Sequence, residues 1–250
     1  MKNTLRQSAV ILVLLGTIVI NILADTLPIN GLKTGQISDT FHVLFVPAGY
    51  VFAIWGLIYI GLLGYAVYQA LPAQKENPRL QAMGWWVVLG GFANSAWIFL
   101  WHYEQFVGTL AAMLVLLASL IAVYLRLEFG ETKVTNSETW AVRIPFSIYL
   151  GWITVATVAN VTDVLDYLKW TAFGISAQTW FLVALAAVLV ISTLMSWIRR
   201  DVAYIMVILW ALVGISHKFS TEPLIWLASL TTALLVSLGL LYSLLWRKGA

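Results

Sequence analysis

What most constrains this chain is the length of its apolar runs. A helix that crosses the hydrocarbon core of a bilayer needs about 17–25 mostly apolar residues. The sequence offers eight stretches at or near this length, the seventh being the shortest: 8–24, 49–71, 82–101, 107–125, 144–161, 178–197, 202–217 and 224–246. None reads as a barrel strand, which would alternate in polarity over about 10 residues. Only 10% of the 250 residues are charged and 61% are apolar. A soluble domain carries about 25% charge, so a soluble globular protein, a disordered tail and a nucleic-acid binder are all excluded. The fold expected is all-α and integral to the membrane.

Lys and Arg set the orientation of such a chain. With eight spans, one side holds both termini and the loops after spans two, four and six. Eleven basic residues fall there (Lys2, Arg6, Lys75, Arg79, Arg126, Lys133, Arg143, Arg199, Arg200, Arg247 and Lys248), against three (Lys33, Lys169 and Lys218) on the other side. Both termini are therefore expected in the cytoplasm, and seven or nine spans would scramble the pattern. Met1–Ala24 also has the charge and apolar run of a secretory signal. Cleavage after Ala24 would need a small residue where Ile22 stands, so the segment reads as an uncleaved first span. The last three spans are joined by short linkers, which predicts consecutive hairpins packed on the preceding helices.

Cysteine is absent, which removes disulfides, thiolate metal sites and cysteine nucleophiles together. No H-E-x-x-H, G-x-S-x-G or phosphate-binding glycine loop is present. His42, His102 and His217 all fall on the outer half without ligand-like spacing, and read as boundary histidines. Asp163 and Asp166 read as a solvated loop face.

Thirteen tryptophans need an explanation. Trp85, Trp86, Trp140, Trp197 and Trp246 fall at the cytoplasmic helix ends, and Trp101, Trp170, Trp180 and Trp226 near the outer boundary, as aromatic belts predict. Trp55, Trp97, Trp152 and Trp210 lie deeper. Helical spacing puts Phe52, Trp55 and Tyr59 on one face. It likewise groups Gly90, Asn94, Trp97 and Trp101, then Tyr149, Trp152, Ala156 and Asn160, and then Trp210, Gly214 and His217. Thr17, Asn21 and Asp25 are spaced by four on the first span. Polar groups at this depth face the bundle interior. Each Asn alone equally reads as an interhelical hydrogen-bonding residue. Together with the tryptophans, they suggest an aromatic-lined cavity opening outward, suited to a flat, largely apolar ligand.

The run Pro47-Ala48-Gly49-Tyr50-Val51-Phe52, followed by Trp55 and Tyr59, resembles the signature of the TspO/translocator-protein family of tryptophan-rich sensory proteins. Asn94-Ser95-Ala96-Trp97 is similar to the family's N-x-A-W in helix three, and Trp152, Ala156 and Asn160 to its W-x-x-x-A-x-x-x-N in helix five. Ala48 and Tyr50 stand where the family usually has proline and tryptophan. The resemblance covers about residues 8–161. It implies a TspO-like five-helix bundle over 1–161, with 162–250 adding three transmembrane helices. It also implies a pocket beneath the loop joining helices one and two, formed by Trp55, Tyr59, Asn94, Trp97, Trp152, Ala156 and Asn160. In the family such pockets bind porphyrins, so the implied function is that of a membrane sensor, binding protein or carrier for a tetrapyrrole, porphyrin or haem being ligand rather than cofactor. An integral-membrane enzyme modifying such a ligand, or a lipid- or isoprenoid-type transporter, is the alternative. The expected setting is a bacterial inner membrane. The expected partners are the lipid bilayer and the small hydrophobic ligand, with a homodimer left open.

Overall fold

The computed structural model describes residues 2–27 and 29–246. Met1 of the signal-like start and the basic pair Arg247 and Lys248 lie outside them. The described residues form eight long helices and no strand. These are α1 (Lys2–Thr26), α2 (Ile54–Ala70), α3 (Pro78–His102), α4 (Phe106–Arg126), α5 (Ile144–Tyr167), α6 (Ala177–Leu194), α7 (Val202–Lys218) and α8 (Pro223–Trp246). Seven of the helical segments are long and apolar enough to cross a membrane. The remaining one, α7, is an apolar helix of 17 residues. Each expected span therefore coincides with a helix.

Local chemistry sets the helix starts. Asn77 caps α3 by accepting from the N–H groups of Arg79 and Leu80, and Pro78 follows at the first helical position, where its missing N–H is not needed. Ser176 caps α6 and Asp201 caps α7 in the same way. Pro145 stands at the start of the expected span 144–161. It is preceded by a continuous helical lead from Asn136, so it lies inside a helical segment that runs to Tyr167. A π-turn over Thr139–Arg143 absorbs the disruption that proline brings to a helix interior.

The first five helices close into a ring. α1 packs on α3, α3 on α4, α4 on α5, α5 on α2, and α2 back on α1. Close approach is made possible by small residues. A Cβ on Gly91 of α3 would stand 2.2 Å from Val13 of α1, and one on Gly61 of α2 would stand 2.9 Å from Pro145. Outside the ring, α7 docks on α5, α8 on α7, and α6 on α8. The last three helices thus form a row attached through α7. α6 packs chiefly on α8 rather than on its chain neighbour, so the expected succession of hairpins is realised only for α7 and α8.

The two ends of the bundle differ in chemistry. At one end Asn3 donates to Glu76, Gln7 and Gln69 bond each other's backbone, and Arg79 clasps Glu138 in a bidentate pair at 2.7 and 3.0 Å. Arg199 pairs with Glu131 at the same end. Three helices are knotted there by Asp201. Its carboxylate accepts from the Tyr124 hydroxyl of α4 at 2.9 Å, the Ser147 hydroxyl of α5 and the Tyr204 N–H of α7 at 3.0 Å. The opposite end carries the described residues of segment 26–47, that is 26–27 and 29–47.

Candidate functional site

Segment 26–47 folds over the ring's mouth. It contains a short helix, Thr34–Ser38, whose Ile37 is buried. Ile37 and Phe41 pack with Trp101, Phe106 and Val164 in a small apolar cluster. Hydrogen bonds fasten the same segment to the end of α3. Trp101 Nε1 donates to the Thr34 carbonyl at 3.1 Å, and Asn30 donates to the His102 carbonyl at 3.0 Å. His102 is buried, with Nδ1 3.0 Å from the Ile29 carbonyl and Nε2 3.0 Å from the Thr34 hydroxyl. A carbonyl can only accept, so Nδ1 carries a proton, and in the neutral ring Nε2 then accepts from the Thr34 hydroxyl. Two expectations are corrected here. Trp101 is a clamp 2% exposed rather than a belt residue, and His102 holds the covering segment instead of facing solvent. Asp163 is corrected as well, since it is buried on α5 rather than on a solvated loop. His42 and His217 are exposed, as expected.

Beneath this cover lies a cavity of about 280 Å³. Its apolar walls come from Phe52 in the turn before α2, from Trp55 and Tyr59 at the start of α2, and from Trp97 of α3. Its polar rim comes from Asn21, Asp25, Lys33, Thr34, Gln36 and Asp39. Trp55 stacks on Tyr59 at 5.6 Å, and Trp97 stacks on Trp101 at 5.0 Å. Trp152 does not line the cavity. It is buried behind the wall, edge-on to Trp55 at 6.2 Å and to Phe52 at 5.6 Å. Its indole N–H has no hydrogen-bond partner.

Three asparagines brace these walls. Asn21 donates to the Asn94 side-chain carbonyl at 2.7 Å, and Asn94 donates to the Tyr149 hydroxyl at 2.9 Å. This chain joins α1, α3 and α5 across the ring. Nearer the cover, the Trp97 indole donates to Asn160 at 3.3 Å, and Asn160 donates to the Thr109 hydroxyl at 2.9 Å. Asn94 and Asn160 are each 2% exposed, so their amide groups are occupied between helices. Ala156 is half-buried against the main core and outside the cavity lining. Of the seven expected site residues, the fold brings Trp55, Tyr59 and Trp97 into one cavity wall, puts Asn94, Asn160 and Trp152 behind it, and leaves Ala156 outside the lining.

α7 grips the turn that leads into α2. The Ala48 N–H donates to the Gly214 carbonyl at 3.1 Å, and the Trp210 indole donates to the Val51 carbonyl at 3.1 Å. Tyr50 stands edge-on to both Trp210 and His217. Lys218 reaches Asp39 on the covering segment at 3.4 Å. The Trp210, Gly214 and His217 face thus meets the Pro47–Phe52 motif. Among the described residues, no group of three or more His, Asp or Glu side chains could hold a metal ion.

This arrangement defines a polytopic helical membrane protein with an aromatic cavity, braced by amides and covered by an end segment. The chain belongs to the TSPO-like protein family, whose model matches residues 7–242. The match includes α6, α7 and most of α8, so the three helices beyond residue 161 fall within the family's span. No curated protein and no solved structure matches the chain.

Proposed function

We propose that the cavity under segment 26–47 binds a flat hydrophobic ligand of the tetrapyrrole type, and that the protein acts as a membrane sensor or carrier for it. The observation that carries this reading is the meeting of Trp55, Tyr59 and Trp97 in one cavity of about 280 Å³. Flat aromatic walls offer stacking to a planar molecule, and the polar rim suits its substituents. Sites for drug-sized ligands run to about 300–1,000 Å³, so a macrocycle enters only as the covering segment moves. The five-helix unit 1–161 supplies the walls, and 162–250 holds the entry turn through α7. Trp152, Asn94 and Asn160 keep the walls in place from behind. The basic end faces the cytoplasm and the cavity opens on the other side of a bacterial inner membrane, as the Lys/Arg asymmetry directs.

The test is a titration with protoporphyrin IX in mild detergent, followed by the ligand's own absorbance. Losing one stacked wall together with its buried area weakens binding about tenfold. Trp55→Ala and Trp97→Ala should show that loss, while Trp246→Ala, on the exposed end of α8, should bind as wild type. Non-saturable wild-type binding, or equal binding by all variants, would refute the assignment.

A further inference from the structure

The lipid-facing side of the molecule carries a second concavity, separate from the cavity above. Since α6 is held by α8 and not by α5, a gap remains between α5 and α6, with a volume of about 420 Å³. Its floor is the end of the covering segment, Val43–Phe45, and Phe45 closes the inner side against Phe181 at 6.2 Å. Val158, Val161 and Leu165 form the α5 flank at spacings of three and four. Ala184 and Ala187 keep the α6 flank shallow. Val183 and Ala187 are exposed, so the groove opens sideways towards lipid.

Its dimensions and its two ends identify an occupant. The lining runs from Thr157 to Asp166 along α5 and from Ala177 to Ala187 along α6. At about 1.5 Å per residue this is about 14–15 Å, half of the ~30 Å hydrocarbon core and hence the depth of one leaflet. At the loop end the apolar walls give way to His42, Thr162 and Asp166, beside the Trp170–Trp180 pair at 5.2 Å. Indoles favour the headgroup level. The Asp166 carboxylate takes only the His42 backbone N–H, at 3.4 Å, and has no cationic partner among the described residues. A free carboxylate at that depth repels an anionic headgroup and attracts an ammonium.

We infer that the groove is a binding site for one acyl chain of a bilayer phospholipid whose head carries an ammonium, with that ammonium set against Asp166 and the indoles. The inference rests on the membrane fold and is independent of the ligand proposed for the central cavity.

The experiment is native mass spectrometry of the full chain in mild detergent, with equal amounts of phosphatidylethanolamine and phosphatidylglycerol. Wild type retains one ethanolamine lipid in preference to the glycerol lipid. Asp166→Asn reduces that preference about two- to fivefold, the scale of one partly exposed ion pair, without reducing total lipid bound. Ala184→Trp fills the groove and loses the retained lipid. Ala187→Phe does the same from the exposed flank should the first variant fold poorly. Val190→Trp, on an exposed face of α6 outside the groove, behaves as wild type. Equal retention of both lipids by wild type, or undiminished retention in the filled variants, overturns the proposal. So does displacement of the lipid by protoporphyrin IX, which would give the groove to the flat ligand instead.

Discussion

Replacing Gly214 by alanine measures how tightly α7 is pressed against the turn that enters α2. A Cβ built on Gly214 would stand 2.2 Å from Val51 Cγ2 and 3.2 Å from Pro47 Cβ. Val51 is fully buried in the core cluster, so its side chain retreats only by displacing packed neighbours. Overpacking of this kind costs about 1–3 kcal/mol. Easing the helix outward instead weakens the Ala48–Gly214 and Trp210–Val51 hydrogen bonds, each of about 1 kcal/mol. Against this, alanine in a helix interior gains about 0.5–1 kcal/mol over glycine. The net expectation is a destabilisation of about 1–3 kcal/mol, or a melting temperature lower by about 2–12 °C for a chain of this size. The assay is thermal unfolding in mild detergent, with Gly239→Ala as control. Nothing lies within 4 Å of a Cβ at Gly239, so that variant should melt at or slightly above wild type. In a Val51→Ala background the clashing methyl is gone, and Gly214→Ala should lose most of its penalty, a coupling of about 1–2 kcal/mol. If Gly214→Ala melts like Gly239→Ala, or if Val51→Ala does not soften it, the tight contact between α7 and the entry turn is wrong.

Three further outcomes follow from the same geometry. Asp201→Asn replaces a charged acceptor that serves Tyr124, Ser147 and Tyr204. It should lower stability by about 1–3 kcal/mol in denaturant titration, and a wild-type midpoint would show the knot to be dispensable. His102→Ala strips the Ile29 carbonyl and the Thr34 hydroxyl of their partner. Limited proteolysis should then cut segment 26–47 several times faster, whereas unchanged cleavage would remove His102 from its clamping role. Asn21→Ala and Asn94→Ala should each cost about 0.6 kcal/mol, at most about 1.7, and the double variant should cost less than their sum because the two side chains share one bond; strict additivity would show that the two side chains do not act as one brace.

The sequence by itself determined the elements and their medium. A bilayer leaves no backbone group unpaired, so any apolar run of sufficient length must be a helix whatever its neighbours do. Eight runs therefore become eight helices, and the motifs around Pro47, Asn94 and Trp152 carry the family likeness in linear order. Lateral arrangement was beyond that reading. Lipid tails are as apolar as leucine, so hydrophobic periodicity does not mark which face of a membrane helix turns inward. Shape and hydrogen bonding decide it instead: Gly91 against Val13, Gly61 against Pro145, Gly214 against Val51. For the same reason the spacing rule grouped Asn94 with Trp97 and Trp152 with Asn160, but could not tell cavity wall from brace. Asp201 carried a local signal, an acidic residue just ahead of an apolar run, which is an N-cap pattern. Its bonds to Tyr124 and Ser147 join residues 77 and 54 positions away, and only the closed packing of α4, α5 and α7 brings them within reach.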